Sequence, residues 1–585
     1  MIRRVWLALF AIAAMWTLAM VHRGAALAPD ELEFFRATRW IGEGKVPFRD
    51  FWEHHTPLQW IVFAPVARLF AKGPGVDSVV ALRWAQVALW IAMLVLLFRV
   101  ARRERIDALP ALVLLLVSAT FIRKAVEYRL DVPGNLAYLG ALVLIAFGAT
   151  RARWIAFGAL MSAAVLANMR LAPLVIATAI VALLWRADER RWRFNAAGLW
   201  MVPGVAAVAG AFVGWLMLSR AWTPFLASII DYNVASATLL EVDTFSDALL
   251  LPLWTLDPAG IAFWLLGGAG LVLALRDIRT PGPLQLFAIL TLASIATIAT
   301  MEVQYDYHFQ NAWLLMVPLV ASALAPLREA WLRIVAIVAA AGVVIFMLQV
   351  VPAFGAEAEY QDTIMSEADR VTRQGETVFD GAGFALRREP AYRYWFLTTG
   401  VRILAERGTL ARYDEREMAA RPPAAIIADY RLRVYLQTFP WLARYATRHY
   451  VPLYRNLWVP GMTALVGPTA QRLVWIAPRA GRYDVQASAA LATHPWFTNP
   501  LAYAEVVGPV APRYEMRFAE LPTLPPDALR WSVDNVVQPV GARTLELRKG
   551  SRVELLAAPA VRAGVLLVPH GRRALALAPA DPFVF

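Results

Sequence analysis

Cysteine is absent from the 585 residues of the chain. Its absence excludes disulfide bonds, a thiolate nucleophile and a metal centre with cysteine ligands. Charge is scarce as well, because charged residues make up 17% of the chain, hydrophobic residues make up 59%, and the mean hydropathy is +0.51. A soluble protein of this length carries more charge, so the composition predicts a multi-pass α-helical membrane protein.

Signatures of nucleotide and zinc-protease sites are also missing. The sequence has no GxGxxG motif, no P-loop and no HExxH helix, and so it offers no evidence for a nucleotide cofactor or a zinc-protease site. The net charge of +13 would suit a nucleic-acid-binding protein. However, the arginines cluster at the ends of apolar runs, where lipid headgroups and insertion rules account for them. We therefore expect membrane lipids, and no nucleic acid, as partners.

Apolar runs long enough to cross a bilayer predict about eleven transmembrane helices. A further apolar run at 58–71 is shorter, begins directly after Pro57 and is interpreted as an interfacial helix. The first run is interpreted as an uncleaved helix, because no convincing small-residue cleavage site follows it. The predicted transmembrane helices lie at 5–23, 80–100, 107–123, 132–150, 153–168, 171–186, 197–219, 259–275, 283–301, 312–327 and 331–351.

Arginines mark alternate loops between these spans and so give the orientation of the chain. By the positive-inside rule these loops are cytoplasmic, and so is the N-terminus. The remaining loops then lie outside the cytoplasm. An odd number of spans places everything after residue 351 outside as well, so the arginine pattern and the parity of the spans agree.

After residue 351 the composition changes, and no further span follows. Two apolar strands that each end in aspartate, at 376–380 and 424–429, predict a small extracytoplasmic α/β domain over 352–470. Short strands between turn signals predict an extracytoplasmic β-sandwich over 471–585. These strands lie at 473–476, 481–485, 544–547 and 564–568. The transmembrane domain is predicted to occupy residues 1–351.

An acidic pair, Asp30 and Glu31, follows the first predicted span. An ionised carboxylate at the outer face of the membrane can accept the proton of an acceptor hydroxyl, which is the role of a general base. The pair is equally suited to begin a helix, because aspartate is a good N-cap and glutamate favours a first turn. Both interpretations stay open at this point.

A dense string of ionisable and aromatic residues follows in the same loop, between Gly44 and Leu58. Charged groups are costly beside lipid, so their clustering at a membrane surface suggests chemistry. Within the string, His54 and His55 are suited to binding a phosphate, assisting proton transfer or ligating a metal. A divalent metal is left open as a cofactor.

Other outer loops add polar residues. Glu127, Arg129 and Asp131 alternate in one short loop, where they either belong to a site or form ion pairs that hold the loop in place. Arg170 lies at the edge of a predicted span. It is either a site residue or an arginine whose side chain snorkels to the membrane interface. The remaining candidates, in two further outer loops, are Asn233, Tyr305, Tyr307 and His308.

Four features together resemble the GT-C superfamily of integral-membrane glycosyltransferases. The resemblance covers roughly residues 1–351 and is strongest to bacterial members of glycosyltransferase family 39, the relatives of protein mannosyltransferases and lipid A aminoarabinose transferases. The features are the Asp30-Glu31 pair, the Gly44-x-x-Pro47-Phe48-x-Asp50 and His55-Thr56-Pro57-Leu58 run, the Arg129-x-Asp131 loop, and the Tyr305-x-Tyr307 loop before a span containing Pro318.

The resemblance implies a membrane glycosyltransferase, a hexosyl- or pentosyltransferase of the bacterial inner membrane. Its sugar donor would be linked to polyprenyl phosphate, and its acceptor would be an extracytoplasmic glycan, lipid or protein. An acidic residue of the first outer loop is the base in that family, which assigns the role to Asp30, with Glu31 as its neighbour. Asp131 matches a second carboxylate that lines the site.

The same resemblance points to residues that bind the donor phosphate and the substrate. His55 stands where relatives place a lysine near the lipid phosphate, and His54 replaces an acidic residue of the same run. Since a neutral imidazole neutralises less charge than a lysine, Arg129 or Arg170 would compensate. The full expected set is His54, His55, Glu127, Arg129, Arg170, Asn233, Tyr305, Tyr307 and His308.

Two other classes of protein remain as alternatives. A transporter would carry its polar groups near the bilayer midplane, on broken helices in paired halves. Here the polar groups crowd the outer loops, and no two-half symmetry is visible. A non-catalytic envelope protein that binds or senses glycans would not need carboxylates in several separate loops.

The predicted topology can be tested with reporter fusions. A reporter that is active only in the cytoplasm is expected to be inactive when fused after Phe585, because arginine bias and span parity both place the C-terminus outside. The same reporter fused after Arg279, in a predicted cytoplasmic loop, should be active. Cytoplasmic activity of the Phe585 fusion would contradict the topology.

Overall fold

The structure is a computed structural model of the chain. It describes residues 2–572 except 25, 74, 149, 187–188, 238, 240–244, 302–304, 455, 469–470 and 505–523. The chain divides into two compact units, the first formed by residues 1–73 and 77–358 and the second mainly by residues 359–585.

The first unit is almost entirely helical. Its helices, the last of which continues past residue 358, are Ile2–Ala19 (α1), Pro29–Gly42 (α2), Leu58–Phe70 (α3), Asp77–Arg103 (α4), Leu109–Val117 (α5), Ala119–Ala125 (α6), Asp131–Ala146 (α7), Arg151–Ala167 (α8), Ala172–Leu184 (α9), Met201–Leu218 (α10), Trp222–Phe225 (α11), Tyr232–Ala237 (α12), Phe245–Trp254 (α13), Pro258–Arg276 (α14), Pro283–Ala299 (α15), Gln310–Leu324 (α16) and Glu329–Val371 (α17). Its strands, Trp185–Arg186 (β1) and Arg191–Trp192 (β2), form one antiparallel pair.

A helix stands at each predicted transmembrane position, with one difference. The run predicted at 107–123 is two helices, because Ser118 caps α6 and its hydroxyl also donates to Asp257 Oδ2 at 2.6 Å. Among the described residues, four helices are long and apolar enough to cross a bilayer: Ile2–His22, Asp77–Arg103, Ala196–Leu218 and Pro258–Arg276. The chain is a membrane protein, and the count of about eleven crossings stays a prediction.

The core of the first unit is built around α5 and α16. Every residue of α5 from Pro110 to Val117 is buried, and so is the continuous run of α16 from Leu314 to Ala321. A helix that is hydrophobic on all sides is stable only when other helices surround it. α5 packs against α1, α14 and α16, and α16 also packs against α15.

The helix pair α2 and α3 carries the loop that was singled out in the sequence. α2 begins with Pro29 at its first position and ends before Gly44, whose φ of +91° suits the left-handed turn that closes many helices. α3 begins directly after Pro57, at the predicted position, and packs against α2. The loop at 43–57 therefore runs from the end of one packed helix to the start of the next.

The second unit is rich in strands, as predicted. Its helices are Thr399–Glu406 (α18), Glu415–Ala420 (α19), Tyr430–Thr438 (α20), Pro440–His449 (α21), Pro495–Thr498 (α22) and Pro500–Ala504 (α23). Its strands are Thr377–Asp380 (β3), Glu389–Pro390 (β4), Ala425–Ile427 (β5), Tyr450–Pro452 (β6), Leu457–Pro460 (β7), Met462–Val466 (β8), Arg472–Ile476 (β9), Gly481–Ser488 (β10), Leu529–Val533 (β11), Val536–Val537 (β12), Thr544–Leu547 (β13), Arg552–Ala557 (β14) and Ala563–Pro569 (β15).

The strands form a mixed sheet and two antiparallel sheets. The mixed sheet has the order β4-β3-β5-β7-β6, with parallel pairing on both sides of β3. The antiparallel sheets have the orders β13-β10-β15-β8 and β12-β11-β14-β9. Both contribute to one apolar core, in which Trp475 and Leu555 from one sheet lie with Tyr483 and Val565 from the other. The predicted division of this unit into domains at 470/471 stays a prediction.

Candidate functional site

Asp30 and Glu31, both in the first turn of α2, lie in different environments. Glu31 is buried, and its Oε2 accepts a hydrogen bond from the backbone N–H of Ala28, which precedes the helix. Arg83 of α4 donates two hydrogen bonds to the same carboxylate, from Nε to Oε1 at 2.7 Å and from Nη2 to Oε2 at 2.5 Å. The backbone N–H of Tyr128 donates to Oε1 at 2.7 Å. Glu31 thus holds α2 against α4 and against the loop before α7.

Asp30 instead joins a cluster of carboxylates around Arg129. The Nη1 atom of Arg129 lies 3.3 Å from Asp30 Oδ2 and 2.9 Å from Glu127 Oε2, and its Nε lies 3.0 Å from Asp131 Oδ2. The guanidinium itself is buried. The structure therefore brings together four residues that the sequence placed in two separate loops.

The members of this cluster differ in their access to solvent. The Asp30 side chain is 30% exposed, whereas those of Glu127 and Asp131 are 7% exposed. Burial raises the pKa of Glu127, but the charges of Lys124 and Arg129 more than offset this and leave the pKa below its usual value. Asp30 is therefore the most solvent-accessible carboxylate of the cluster.

Next to this cluster lies a cleft with an empty volume of about 390 Å³, which includes its open mouth. Asn168 donates to Asp131 Oδ1 at 2.8 Å, and Arg170 donates to the hydroxyl of Tyr307 at 3.1 Å. The ring of Tyr307 lies 3.9 Å from the guanidinium carbon of Arg129. Polar residues that line the cleft include Asp131, Asn135, Asn168, Arg170, Tyr307, His308 and Gln310.

Several polar atoms on the wall of the cleft have no hydrogen-bond partner within the described part of the protein. They are both amide atoms of Asn135, both amide atoms of Gln310, and Nε2 of His308. The pKa of His308 is lowered well below its usual value by burial and then by Arg170 and Arg129, so its ring is neutral at pH 7. Buried polar groups without partners are costly, and a polar ligand in the cleft would satisfy them.

The two histidines of the first loop lie in a second cluster. The Nδ1 atom of His54 lies 3.3 Å from Glu33 Oε1 and 3.4 Å from Glu53 Oε1. The Nδ1 atom of His55 lies 3.7 Å and 3.1 Å from the same two oxygens. Both rings thus direct Nδ1 toward carboxylates of α2 and of their own loop.

Within this second cluster, the pKa values of both Glu53 and His55 are shifted from their usual values. Burial raises the pKa of Glu53, but hydrogen bonds with His54 and His55 more than offset it and lower the pKa to about 2. Burial and the neighbouring His54 lower the pKa of His55 to about 4. At pH 7 Glu53 is therefore ionised and the His55 ring carries no charge.

The other predicted residues have supporting positions. The side-chain amide of Asn233 donates to the carbonyl oxygens of His54 at 3.1 Å and Ile229 at 2.9 Å. The rings of Tyr305 and Tyr307 stack at 5.3 Å. The neighbouring residues 302–304, which belong to the same predicted loop, lie outside the described residues.

Five residues of the candidate site were missing from the prediction: Glu33, Glu53, Arg83, Asn135 and Gln310. A signal for three of them was available, because Arg83, Asn135 and Gln310 are polar residues at or within apolar runs, where such residues are costly and usually functional. Glu53 directly precedes the two histidines. Glu33 gave no such signal, since only the fold brings it to the loop.

Comparison with known proteins supports the fold. The chain matches no protein-family model and no curated protein sequence. Among solved structures, ArnT from Cupriavidus metallidurans bound to undecaprenyl phosphate is similar, with a TM-score of 0.51 and 16% identity over 66% of this chain and 85% of that one. The apo state of the same protein gives a TM-score of 0.46 at 16% identity, with the same coverage of both chains.

The Archaeoglobus fulgidus oligosaccharyltransferase is also similar, with a TM-score of 0.44 and 13% identity over 79% of this chain and 72% of that one. The ArnT structure with bound undecaprenyl phosphate shows that this chain has a fold of the ArnT type, which agrees with the fold expected from the sequence motifs.

The structural role of Glu31 can be tested by unfolding measurements. Glu31→Gln is expected to lower the free energy of unfolding by about 3–5 kcal/mol, because it removes the charged carboxylate that forms two hydrogen bonds with the buried Arg83. The measurement is unfolding of the detergent-solubilised protein. Arg49→Gln is the matched control, since it breaks an exposed ion pair with Asp50. A Glu31→Gln variant as stable as this control but inactive would instead indicate a catalytic role.

Proposed function

We propose that the chain is a membrane glycosyltransferase that moves a sugar from a polyprenyl-phosphate donor to an extracytoplasmic glycan, lipid or protein. The observation that carries the proposal is the carboxylate cluster around Arg129, which adjoins a polar cleft in a GT-C-type fold. Support for the donor comes from ArnT, whose solved structure has this fold and holds undecaprenyl phosphate.

Asp30 is the general base of the proposed reaction. The acceptor hydroxyl attacks the anomeric carbon of the donor sugar, and Asp30 takes the proton of that hydroxyl as the new bond forms. The bond between the anomeric carbon and the phosphate oxygen breaks, and the bonding electrons leave with the polyprenyl phosphate. The greater exposure of Asp30 favours it over Glu127 and Asp131 as the residue that meets the acceptor.

Arg129 has a positioning role in this scheme. Three carboxylates contact its guanidinium, so its single positive charge is already more than balanced. We propose that Arg129 holds Asp30 and Asp131 in fixed positions relative to each other. It is not the main residue that contacts the phosphate in this scheme. Asp131 would then line the site as a second carboxylate.

Arg170 is the better candidate for the departing phosphate. It lines the cleft, and its side-chain partner there is the neutral hydroxyl of Tyr307. Developing negative charge on a leaving phosphate requires a positive group or strong hydrogen-bond donors close to it. The Nδ1 atoms of His54 and His55 face Glu33 and Glu53, which leaves their rings less suited to this task than the sequence predicted.

The unpartnered amides of Asn135 and Gln310 favour the cleft as the place of the sugar ring. An amide offers both donors and an acceptor, which matches the hydroxyl groups of a neutral sugar. The proposal includes the predicted setting: the bacterial inner membrane, a cytoplasmic N-terminus, and extracytoplasmic domains at 352–470 and 471–585.

Replacement of the base tests the chemistry. Asp30→Asn is expected to lower turnover by about 10²–10⁴-fold while the protein stays folded, because only proton abstraction is lost. The assay follows release of polyprenyl phosphate by the purified protein, with a lipid extract as donor and a membrane extract as acceptor source. Asp107→Asn, which changes an exposed carboxylate outside the cluster and outside the four motifs, should keep wild-type turnover. Near-normal turnover of Asp30→Asn would remove Asp30 as the base and leave Asp131 as the next candidate.

Replacement of Arg170 tests the phosphate contact. Arg170→Gln should weaken binding of polyprenyl phosphate by about 10–100-fold, the value of a lost hydrogen bond to a charged group. Binding is measured on the detergent-solubilised protein by competition with a labelled lipid phosphate. Arg49→Gln removes an exposed arginine and should leave the affinity unchanged. Equal affinities for the two variants would place the phosphate elsewhere.

A further inference from the structure

The cleft of the first unit contains three polar side chains to which the proposed reaction gives no chemical role. Asn135 lies one helical turn from Asp131 on the same face of α7, and Gln310 is the first residue of α16. His308 lies in the short turn that leads into α16. All three side chains line the cleft and belong to residues that are at least nine-tenths buried. The fold thus brings polar groups from two distant parts of the chain to one cleft.

The unpartnered atoms of these residues are uncharged donors and acceptors. Both amide atoms of Asn135 and of Gln310, and Nε2 of His308, have no hydrogen-bond partner among the described residues. The Nδ1 atom of His308 accepts a hydrogen bond from the backbone N–H of Tyr305 at 3.3 Å. Because that nitrogen is an acceptor and the ring is neutral, Nε2 carries the proton and is a donor. Hydroxyl groups, which both donate and accept, can partner all of these atoms.

The carboxylate of the cleft already has partners. Among the described residues that line the cleft, Asp131 is the one acidic side chain. Its Oδ1 accepts a hydrogen bond from Asn168 at 2.8 Å, and its Oδ2 accepts one from Arg129 at 3.0 Å. An ammonium group on a ligand would have to compete with both donors for this carboxylate.

Positive charge in the cleft also disfavours a cationic ligand. Burial lowers the pKa of His308 well below its usual value, and the positive charges of Arg170 and Arg129 lower it further. The same charges act on any ligand group that lies beside His308, and like charges brought together in a binding site are costly. Apolar lining residues such as Leu171 and Leu174 offer a charged group no compensation.

We propose that Asn135, His308 and Gln310 determine the specificity of the cleft, and that they select a donor sugar whose ring bears hydroxyl groups over one that bears an ammonium group. This inference rests on the proposed function and names the class of sugar. A site built to hydrogen-bond hydroxyl groups discriminates strongly against a ligand that lacks them, because its buried polar groups then stay unpaired. The chain would thus differ in its donor from the aminoarabinose transferases that its sequence resembles, whose sugar carries an amine.

Competition binding with matched lipids tests the class of sugar. The full chain is purified in detergent with a labelled lipid phosphate bound. The competitors are bare polyprenyl phosphate, polyprenyl-phosphate-linked arabinose, mannose and glucose, and the analogue of each sugar in which one ring hydroxyl is replaced by an amine. At least one hydroxyl-bearing sugar should raise the affinity about 10–100-fold over bare polyprenyl phosphate, since it partners buried groups. The amino analogue of that sugar should bind about 100-fold more weakly than its parent.

Variants test the residues that recognise the sugar. Asn135→Leu and Gln310→Leu replace an amide by an apolar group of similar size, so each should remove most of the affinity gained from the sugar and leave that for bare polyprenyl phosphate unchanged. Because the amides lack a partner without a ligand, neither change should lower the melting temperature. Gln310→Glu adds a carboxylate to the cleft and should shift the preference toward the amino analogue. Gln538→Leu, in the second unit, should bind like the wild type.

The possible outcomes separate this inference from the proposed function. If bare polyprenyl phosphate does not bind, the proposed function fails and this inference fails with it. If it binds but no attached sugar raises the affinity, or if an amino analogue binds as tightly as its parent, the inference alone is overturned. Unchanged sugar preference in both leucine variants would also overturn it. The wild-type lipids decide the class of sugar even if a variant fails to fold.

Discussion

The buried guanidinium of Arg129 is the constraint on which the candidate site depends. It lies where the first turn of α2 meets the loop before α7, and it contacts carboxylates from both elements. Removing one partner of a buried ion pair costs about 3–5 kcal/mol, because an unpaired charge remains in a poorly solvated place. Three carboxylates around a single arginine therefore hold one another in place, and Lys124 pairs with Glu127 as well.

A second buried pair, Glu31 with Arg83, explains why two adjacent acidic residues have different roles. Consecutive residues of a helix point about 100° apart, so Glu31 turns into the packed interior between α2 and α4 while Asp30 turns toward Arg129 and solvent. The ion pair of Glu31 fixes the rotation of α2 about its axis. The exposure of Asp30 is thus a consequence of the burial of its neighbour.

Much of the fold could be predicted because it follows from local patterns. Long apolar runs gave helices at the predicted positions, and the strands that begin near 377, 425, 481 and 544 stand where alternation and turn residues placed them. The break at Ser118 could not be predicted from hydropathy, because it depends on a hydrogen bond to Asp257, far away in the sequence. The charged residues of the loops could be identified in the sequence. However, the contact of Arg129 with three carboxylates and the position of Glu33 beside the two histidines result from the packing of distant segments.

The central claim is that the chain consumes a sugar carried on polyprenyl phosphate. Mass spectrometry of lipids from a strain that lacks this protein tests it most directly. The account predicts that a polyprenyl-phosphate-linked sugar accumulates, that a surface glycan or another extracytoplasmic acceptor loses the same sugar, and that the intact gene restores both. Lipid and glycan profiles identical to those of the parent strain would contradict it.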